Sequence, residues 1–391
     1  MLSFDSFLGI HYMDNKEANA AAKVIQSKSL FRYDGLDLQH KTLEFETNLS
    51  KFLNTKYTVA CSSGTSALKM CCVALNIGPG DEVIMSPFTF IASAAAVLSC
   101  GALPQFVDVD KSMNIDPQKI EQYITERTKA IMAIHIQGIP CDMEQIVKIA
   151  KKHNLYIIED CAQAFGAKYN NQRVGTIGDA AAFSLQANKV ISCGEGGIFC
   201  CKSEEHFWRA RNYHDNGAKR AGDEYPGWND PTTSFGENFK ITEIQSAIAN
   251  EQLKKFDEIK EHQIHLYHRL MKSISNKAFE FREITARSEF TPVSICFIFD
   301  SHGEAQKFIT FSKSHKIEAD FYSDRVLTQI NAFTHKQSWH SDGFPFNLAA
   351  HPISSCYYTK ALISRTVWLP ISPLLNDNDA DYIAKTINSY S

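Results

Sequence analysis

Short apolar runs alternate with longer amphipathic stretches through the first two thirds of the chain. Tyr57–Cys61, GDEVIMSP (80–87), LPQFVDVD (103–110), AIMAIHI (130–136) and LYIIED (155–160) read as short buried strands, and DAAAFSL and GGIFCC on either side of Lys189 add two more. Helical patterns lie between them. From Asp142 to His153, Met143, Ile146, Val147 and Ala150 recur at helical spacing, with Asp142 placed as N-cap and Gln145 three residues on. Ala67 to Leu75 reads as a buried helix, and Ile241, Ile244, Ala247 and Ile248 as the apolar stripe of another. Buried strands alternating with helices predict an α/β fold, a mostly parallel sheet with helices on both faces. A long charged helix from about residue 255 leads away from this unit. TPVSICFIFD (291–300), a helix over 302–315 and a last helix over 376–389 then predict a smaller α/β domain. The expected division is 1–255 and 256–391, with no repeat, low-complexity tract or linker to mark it.

Composition narrows the classes. At 391 residues and 44% hydrophobic, the chain can bury a large core. Its 40 basic and 44 acidic residues are well mixed, so no charged block suggests a nucleic-acid or polyanion surface. The start, MLSFDSFLGIHYMDN, has no basic n-region and carries Asp5. The longest apolar stretch, Ile91 to Leu103, is broken by Ser93, Ser99 and Gly101 and is too short for a bilayer. A cytoplasmic protein with no membrane or nucleic-acid partner is expected. The eleven cysteines are odd in number, form no Cys-x-x-Cys and include the adjacent pairs Cys71-Cys72 and Cys200-Cys201, which reads as small core residues kept reduced. His262, His265 and His268 share a helix face, but their neighbours Lys260, Glu261 and Arg269 read as a solvated side rather than a metal site. The Gly- and Pro-rich stretch 217–234 is a loop long enough to be functional.

Four segments carry chemistry. In FSLQANKVISCGEGG (183–197), Lys189 follows a buried Phe-Ser strand end and precedes a glycine-rich turn, with no acid or base between it and Asp179. A lysine becomes a nucleophile when an apolar or cationic setting suppresses its charge, although a solvated lysine would fit the same pattern. In SSGTSAL (62–68), strand, glycine turn and helix follow one another, which aims free N–H groups at a phosphate or forms an ordinary N-cap. In LYIIEDCAQA (155–164), Glu159 and Asp160 end a strand where ligands of parallel sheets sit; an inward acid there would hold a protonated ring nitrogen, and an outward one would be solvated. In SFGENFKITEIQSAIANEQL (234–253), Gly236, Asn238 and Lys240 form a polar loop before a helix. Asn238 there is a phosphate donor or a turn former.

In this order and spacing, the segments resemble the DegT/DnrJ/EryC1/StrS family of aminotransferases that use pyridoxal 5'-phosphate. The likeness runs from about residue 30 to 270. It is carried by SGTSAL, GPGDEVIMSPFTF, HIQGIPCDM, IIEDCAQAFGA, GDAAAFSLQANKVISCGEGG and FGENFKITEIQSAIA, with a weaker echo in RTVWLPISPLLNDND (365–379). The resemblance implies a fold-type-I transferase in which Lys189 bonds the cofactor aldehyde and later moves the substrate proton. It places Asp160 against the pyridinium nitrogen, Gln163 on the phenolic oxygen and Phe90 against the ring face. Gly64, Thr65 and Ser184 become the phosphate cradle, and Asn238 a phosphate contact given by a neighbouring subunit, so a homodimer with shared sites is implied. L-glutamate is the implied amino donor. The implied acceptor is a ketosugar, above all a nucleotide-linked 3-keto or 4-keto hexose.

Two departures stand out. Lys240 occupies a position where the family commonly has Arg, and a lysine cannot copy a planar guanidinium fork. LFRYDGLD (30–37) is similar to an Arg-Tyr segment at the site mouth of the minority of relatives that use free or phosphorylated sugars or keto-cyclitols. A dehydratase or lyase of the same fold and a non-catalytic sensor are the other readings; the retained Lys189 favours amino transfer.

Overall fold

The structure, a computed structural model, describes residues 8–220, 233–350 and 354–391 together with Leu2 and Phe4. Of the loop read over 217–234, residues 221–232 lie outside the described residues. Five strands of the central sheet are β1 (Tyr57–Cys61), β2 (Glu82–Met85), β3 (Leu103–Phe106), β4 (Thr128–Ile134) and β5 (Tyr156–Asp160). Strands Ala180–Ser184 and Gly197–Cys201 complete seven, in the order β1, Gly197–Cys201, Ala180–Ser184, β5, β4, β2, β3. From Ala180–Ser184 to β3 every pairing is parallel, while Gly197–Cys201 runs antiparallel to both its neighbours. Each of the seven strands read from the sequence is present. Ile84, Met85, Ile131 and Met132 are fully buried although successive residues face opposite sides, because the sheet is covered on both.

This topology places the site. Asp160 pairs with Ile134 and Ala182, and Ser184 with Gly197, which itself pairs with Cys61. The carboxyl ends of β1, β2, β4, β5 and Ala180–Ser184 therefore meet on one edge, where ligands of open α/β sheets bind. Helices α1 (Asn15–Ser27) and α2 (Lys41–Leu53) precede the sheet, and α3 (Gly64–Ala74) follows β1.

A second antiparallel sheet joins Glu280–Phe281, Ser294–Ile298 and Thr366–Pro370. Its pleat divides its side chains between two cores. Ile295 and Phe297 pack with Phe279, Phe299 and Phe308 under the C-terminal helices, whereas Cys296 and Ile298 join the main core with Val326, Leu327 and Trp368.

Two expectations gain detail. The helix face of His262, His265 and His268 is solvated as read, with His265 and His268 exposed, and its first two rings also bond the C-terminal segment. His262 meets Tyr12 Oη at 2.6 Å and the Leu375 carbonyl at 3.1 Å, and His265 meets Asp377 at 2.6 Å, so the two rings share no ligand point. In the Glu243–Lys254 helix Ala247 is buried as read, with Ala249, but the polar Glu243, Ser246, Asn250 and Gln252 are buried beside them while Ile244 and Ile248 are half-buried. The reason is capping: the Glu243 carboxylate accepts the N–H groups of Lys41 (2.5 Å) and Thr42 (2.9 Å), which open α2 without a side-chain cap of their own. Ile241 precedes the helix, which starts with the Thr242–Gln245 capping box.

Candidate active site

Glu159 and Asp160 leave β5 on opposite faces. Asp160 points toward the helix Ala92–Ser99, where Ser93 Oγ donates to Oδ2 at 2.7 Å and the Ala162 N–H donates to Oδ1 at 3.1 Å. The Ser93 hydroxyl, having given its proton to Asp160, accepts from Thr89 Oγ1 at 2.9 Å. Asp160 is buried, and burial pushes its carboxyl above the ordinary value. The bonds from Ser93 and Ala162, and then the charge of Lys189, pull the other way without cancelling it. Among the described residues none forms an ion pair with this carboxylate.

Glu159 lacks nothing. Its oxygens accept the N–H groups of Gly175, Ile177 and Gly178 at 2.6–2.8 Å, and His135 Nε2–H at 3.1 Å. Burial alone would raise its carboxyl, but the bonds from His135, Gly178 and Gly175 carry it below the ordinary value. His135, Glu159 and Cys161 bring potential ligand atoms within 4.8 Å of one another. His135 has no lone pair to offer there, because Nδ1 accepts the Cys141 N–H at 3.0 Å and Nε2 carries the proton given to Glu159. The His135–Glu159 pair is a structural lock.

Lys189 stands on the wall between two adjoining cavities. The smaller, about 80 Å³, is lined by Gly64, Thr65, Ser93, Asp160 and Ser184, and the larger, about 270 Å³, by Gln137, Asn188, Tyr322 and Arg325. Thr89, Phe90, Ala162, Gln163 and Lys189 line both. Burial depresses the Lys189 ammonium; Asp160 opposes that shift, and the nearby Arg325 charge adds to it. A free amine is thus favoured where a carbonyl carbon would have access from either side. Its backbone is held by Lys189 N–H to the Gln186 carbonyl (2.9 Å) and by Gly9 N–H to its own carbonyl (2.8 Å).

At the far end of the smaller cavity α3 begins. Ser63 caps it by accepting the Ser66 N–H at 3.0 Å, leaving the N–H groups of Gly64 and Thr65 ahead of any acceptor within the helix. A side chain at residue 64 would meet Ser184 Cβ at 2.9 Å, so glycine lets α3 close on the Ala180–Ser184 strand end. Gln163 Oε1 accepts the Gln137 N–H at 3.1 Å, which leaves its amide NH₂ as the free donor. Gln137 holds that N–H in place with a left-handed backbone (φ 54°) rare for its type. Phe90 is half exposed at the rim, with the Arg325 guanidinium 5.1 Å from its ring centre.

Of the residues read from the sequence, Lys189, Asp160, Gln163, Gly64, Thr65, Ser184 and Phe90 come together around these cavities. Asn238 does not. It is exposed, its Oδ1 accepts the Lys240 N–H at 3.4 Å, and it lines neither cavity of its own chain. Lys240 is withdrawn as well: its Nζ pairs with Asp215 at 2.5 Å, beside Arg220 at 2.6 Å from the same carboxylate. In the 30–37 segment Arg32 is buried and forks onto Glu46 (2.9 and 2.7 Å), so its guanidinium is committed to α2 and not to a ligand. The sequence reading missed Ser93, Gln137, Tyr322 and Arg325. Gln137 lies in a tight turn closed by Ile139 N–H on the Ile136 carbonyl, for which Gly138 is the one sequence signal, and the others reach the site from helix and loop positions with no periodic signature.

These features fit pyridoxal phosphate: a buried acid without a cation, a depressed lysine and a helix start closed by glycine all face one small cavity. The sequence profile of the DegT/DnrJ/EryC1/StrS aminotransferase family matches residues 11–388. GDP-perosamine synthase of Caulobacter vibrioides is 41% identical over 222 residues, which cover 55% of this chain but only 57% of that enzyme's length. The dTDP-3-amino-3,6-dideoxy-alpha-D-galactopyranose transaminase of Aneurinibacillus thermoaerophilus is 32% identical over 356 residues, 89% of either chain. An aminotransferase structure from Psychrobacter cryohalolentis superposes with a TM-score of 0.84 at 28% identity over 96% of each chain. The chain belongs to the DegT/DnrJ/EryC1/StrS aminotransferase family, whose members are fold-type-I enzymes dependent on pyridoxal phosphate.

Proposed function

We propose that the protein transfers the amino group of L-glutamate to a ketosugar, most simply a nucleotide-linked 3-keto or 4-keto hexose. The observation that carries the reading is Lys189, a depressed amine on the wall between a cavity with a buried acid and a second, larger one. The sugar is suggested by the names of the relatives, which act on GDP- and dTDP-linked sugars. When bound, pyridoxal phosphate supplies an aldehyde carbon for amine exchange and a ring that accepts the electrons released at the substrate carbon. Gly64 and Thr65 N–H and Ser184 Oγ would hold its phosphate, and Gln163 NH₂ its phenolic oxygen. Asp160 would set a negative charge against the ring nitrogen, and that nitrogen is the cation the carboxylate lacks.

Lys189 Nζ does the proton work. Freed by the incoming donor, it would take the donor's α-proton as a neutral amine and return it two bonds further on, beyond the donor nitrogen; water would then release the donor as 2-oxoglutarate and leave the amino group behind for the acceptor. With a ketosugar in the larger cavity the same Nζ moves the proton in the opposite sense. Burial, which lowers the cost of losing this ammonium's proton, is what suits the amine to the task.

Borohydride reduction of the yellow protein followed by peptide mapping tests the site, with the pyridoxyl label expected on Lys189; a label on another lysine would refute it. The aminated cofactor form, offered a panel of nucleotide-linked and free ketosugars, tests the acceptor. A nucleotide-linked ketohexose is expected to restore the yellow form fastest, and restoration by free sugars alone would overturn the acceptor class.

A further inference from the structure

In the helix Ala92–Ser99 every residue is apolar except Ser93 and Ser99. Ser99 returns its hydroxyl proton to the Ala96 carbonyl at 2.9 Å, as a helical serine ordinarily does. Ser93 is buried and sends its proton to another element, to Asp160 Oδ2 at 2.7 Å. Burying a hydroxyl is costly and alanine is the better helix former, so packing alone favours alanine here. We propose that Ser93 is a positioning residue of the reaction: its hydroxyl keeps Asp160 ionised against the cofactor's ring nitrogen, so that the proton these two groups share rests on the nitrogen. This deepens the proposed reading, in which Asp160 faces that nitrogen, and rests on it.

The surroundings leave the hydroxyl this use. Asp160 lines the smaller cavity, and burial raises its carboxyl; among the influences that oppose burial the bond from Ser93 comes first, ahead of Ala162 N–H and the charge of Lys189. Oδ2 accepts from Ser93 and Oδ1 from Ala162, which holds the group by both oxygens and leaves each a lone pair. Ser93 is itself supported. Thr89, four residues earlier, gives its hydroxyl proton to Ser93 at 2.9 Å, and Thr89 N–H is held on the Arg325 carbonyl at 3.0 Å. A hydroxyl that accepts such a bond gives a stronger one onward.

A buried carboxylate and a pyridine nitrogen offer one proton two resting places. On the nitrogen, it leaves a charged pair and a ring ready to take up electrons; on Asp160, it leaves a neutral pair and a poorer electron acceptor. Each donor bonded to the carboxylate favours the first arrangement. Removing the Ser93 hydroxyl takes one donor away and moves the proton toward Asp160.

The test reads the proton directly, by solid-state nuclear magnetic resonance of the holoenzyme carrying cofactor isotopically labelled at the ring nitrogen. The wild-type shift is expected at the protonated value, and that of Ser93→Ala displaced toward the unprotonated one. Single-turnover amination by L-glutamate should slow on the order of 10- to 10²-fold, the loss of one bond to a charged group. The cofactor dissociation constant should change by no more than about threefold, because the phosphate cradle is untouched. Ser93→Thr keeps the hydroxyl and should recover the shift and most of the rate. In an Asp160→Asn background Ser93→Ala should slow the reaction by less than about threefold, since the hydroxyl acts through the charge. A wild-type nitrogen without a proton, a shift unmoved by Ser93→Ala, or equal slowing with and without Asp160 would overturn the proposal. A ring nitrogen indifferent to Asp160→Asn itself would instead overturn the reading of Asp160 on which the proposal rests.

Discussion

Glu159 and Asp160 differ by one methylene and one sequence position, and their surroundings give them opposite tasks. Asp160 has its carboxyl raised in the fold from an ordinary 3.8. For an acid, that direction means its ionisation opposes folding: stability falls as pH rises from the unfolded value toward the raised folded one, and the cost is complete only above the latter. Asp160→Asn should therefore leave the thermal midpoint of the cofactor-free protein unchanged or higher. The same substitution should cut transamination by roughly 10² to 10³, because a charge set against the ring nitrogen matters most as that ring takes up electrons. Thermal scans of the cofactor-free forms beside single-turnover rates check both halves, and a lowered midpoint with normal turnover would make Asp160 structural. The sequence alone could not separate the two acids. A strand's alternation says that they face apart but not which face holds Ser93 and which holds the 174–178 loop. Only resemblance pointed to Asp160.

At the scale of elements, the strands were legible and the contacts between distant segments were not. Seven apolar runs became seven central strands because a sheet buried on both faces demands such runs. By contrast, residues 325–327 lie against 87–89 through backbone bonds across more than two hundred residues, and no periodicity announces such a pairing. The buried polar residues of Glu243–Lys254 are of the same kind, since Glu243 caps α2 and Gln252 bonds Glu17 of α1, ties that no periodicity announces. Glu159 shows how much one such tie can hold, joining β5 to the 174–178 loop and to His135 after β4. Glu159→Gln would set an NH₂ against N–H donors and should cost about 3 kcal/mol or more, measured by chemical denaturation at neutral pH. The folded carboxyl lies below its ordinary 4.5, so its contribution is present above that value and is lost as pH falls through the folded one. The gap between wild type and variant is therefore expected to narrow on acidification below 4.5; a gap independent of pH would mean that the charge contributes nothing.

For the whole molecule, the position of Asn238 raises the question of whether one chain makes a complete site. The loop that carries it is tied to the strand before the Ser63–Thr65 turn, by Ser62 N–H to the Phe239 carbonyl at 2.7 Å and a bridge between Cys61 and Lys240. Even so, the Asn238 side chain is exposed and lines neither cavity of its own chain. Lys240, which could have reached outward with it, is folded back onto Asp215. A loop anchored beside the site yet facing away from it is what a shared site in a homodimer requires of a residue serving the neighbour. That arrangement can be tested by complementation. Lys189→Ala removes the amine, and Asn238→Asp would set a carboxylate against a phosphate, so each variant alone is expected to be impaired. After subunit exchange, one of the two sites in a heterodimer combines an intact Lys189 with an intact Asn238 from the other chain, and activity should return toward half of the wild-type value per dimer. The measurement needs mass-verified heterodimers and parents that remain folded. Heterodimers no more active than the two parents would return Asn238 to its own chain, and the shared site would lose its support.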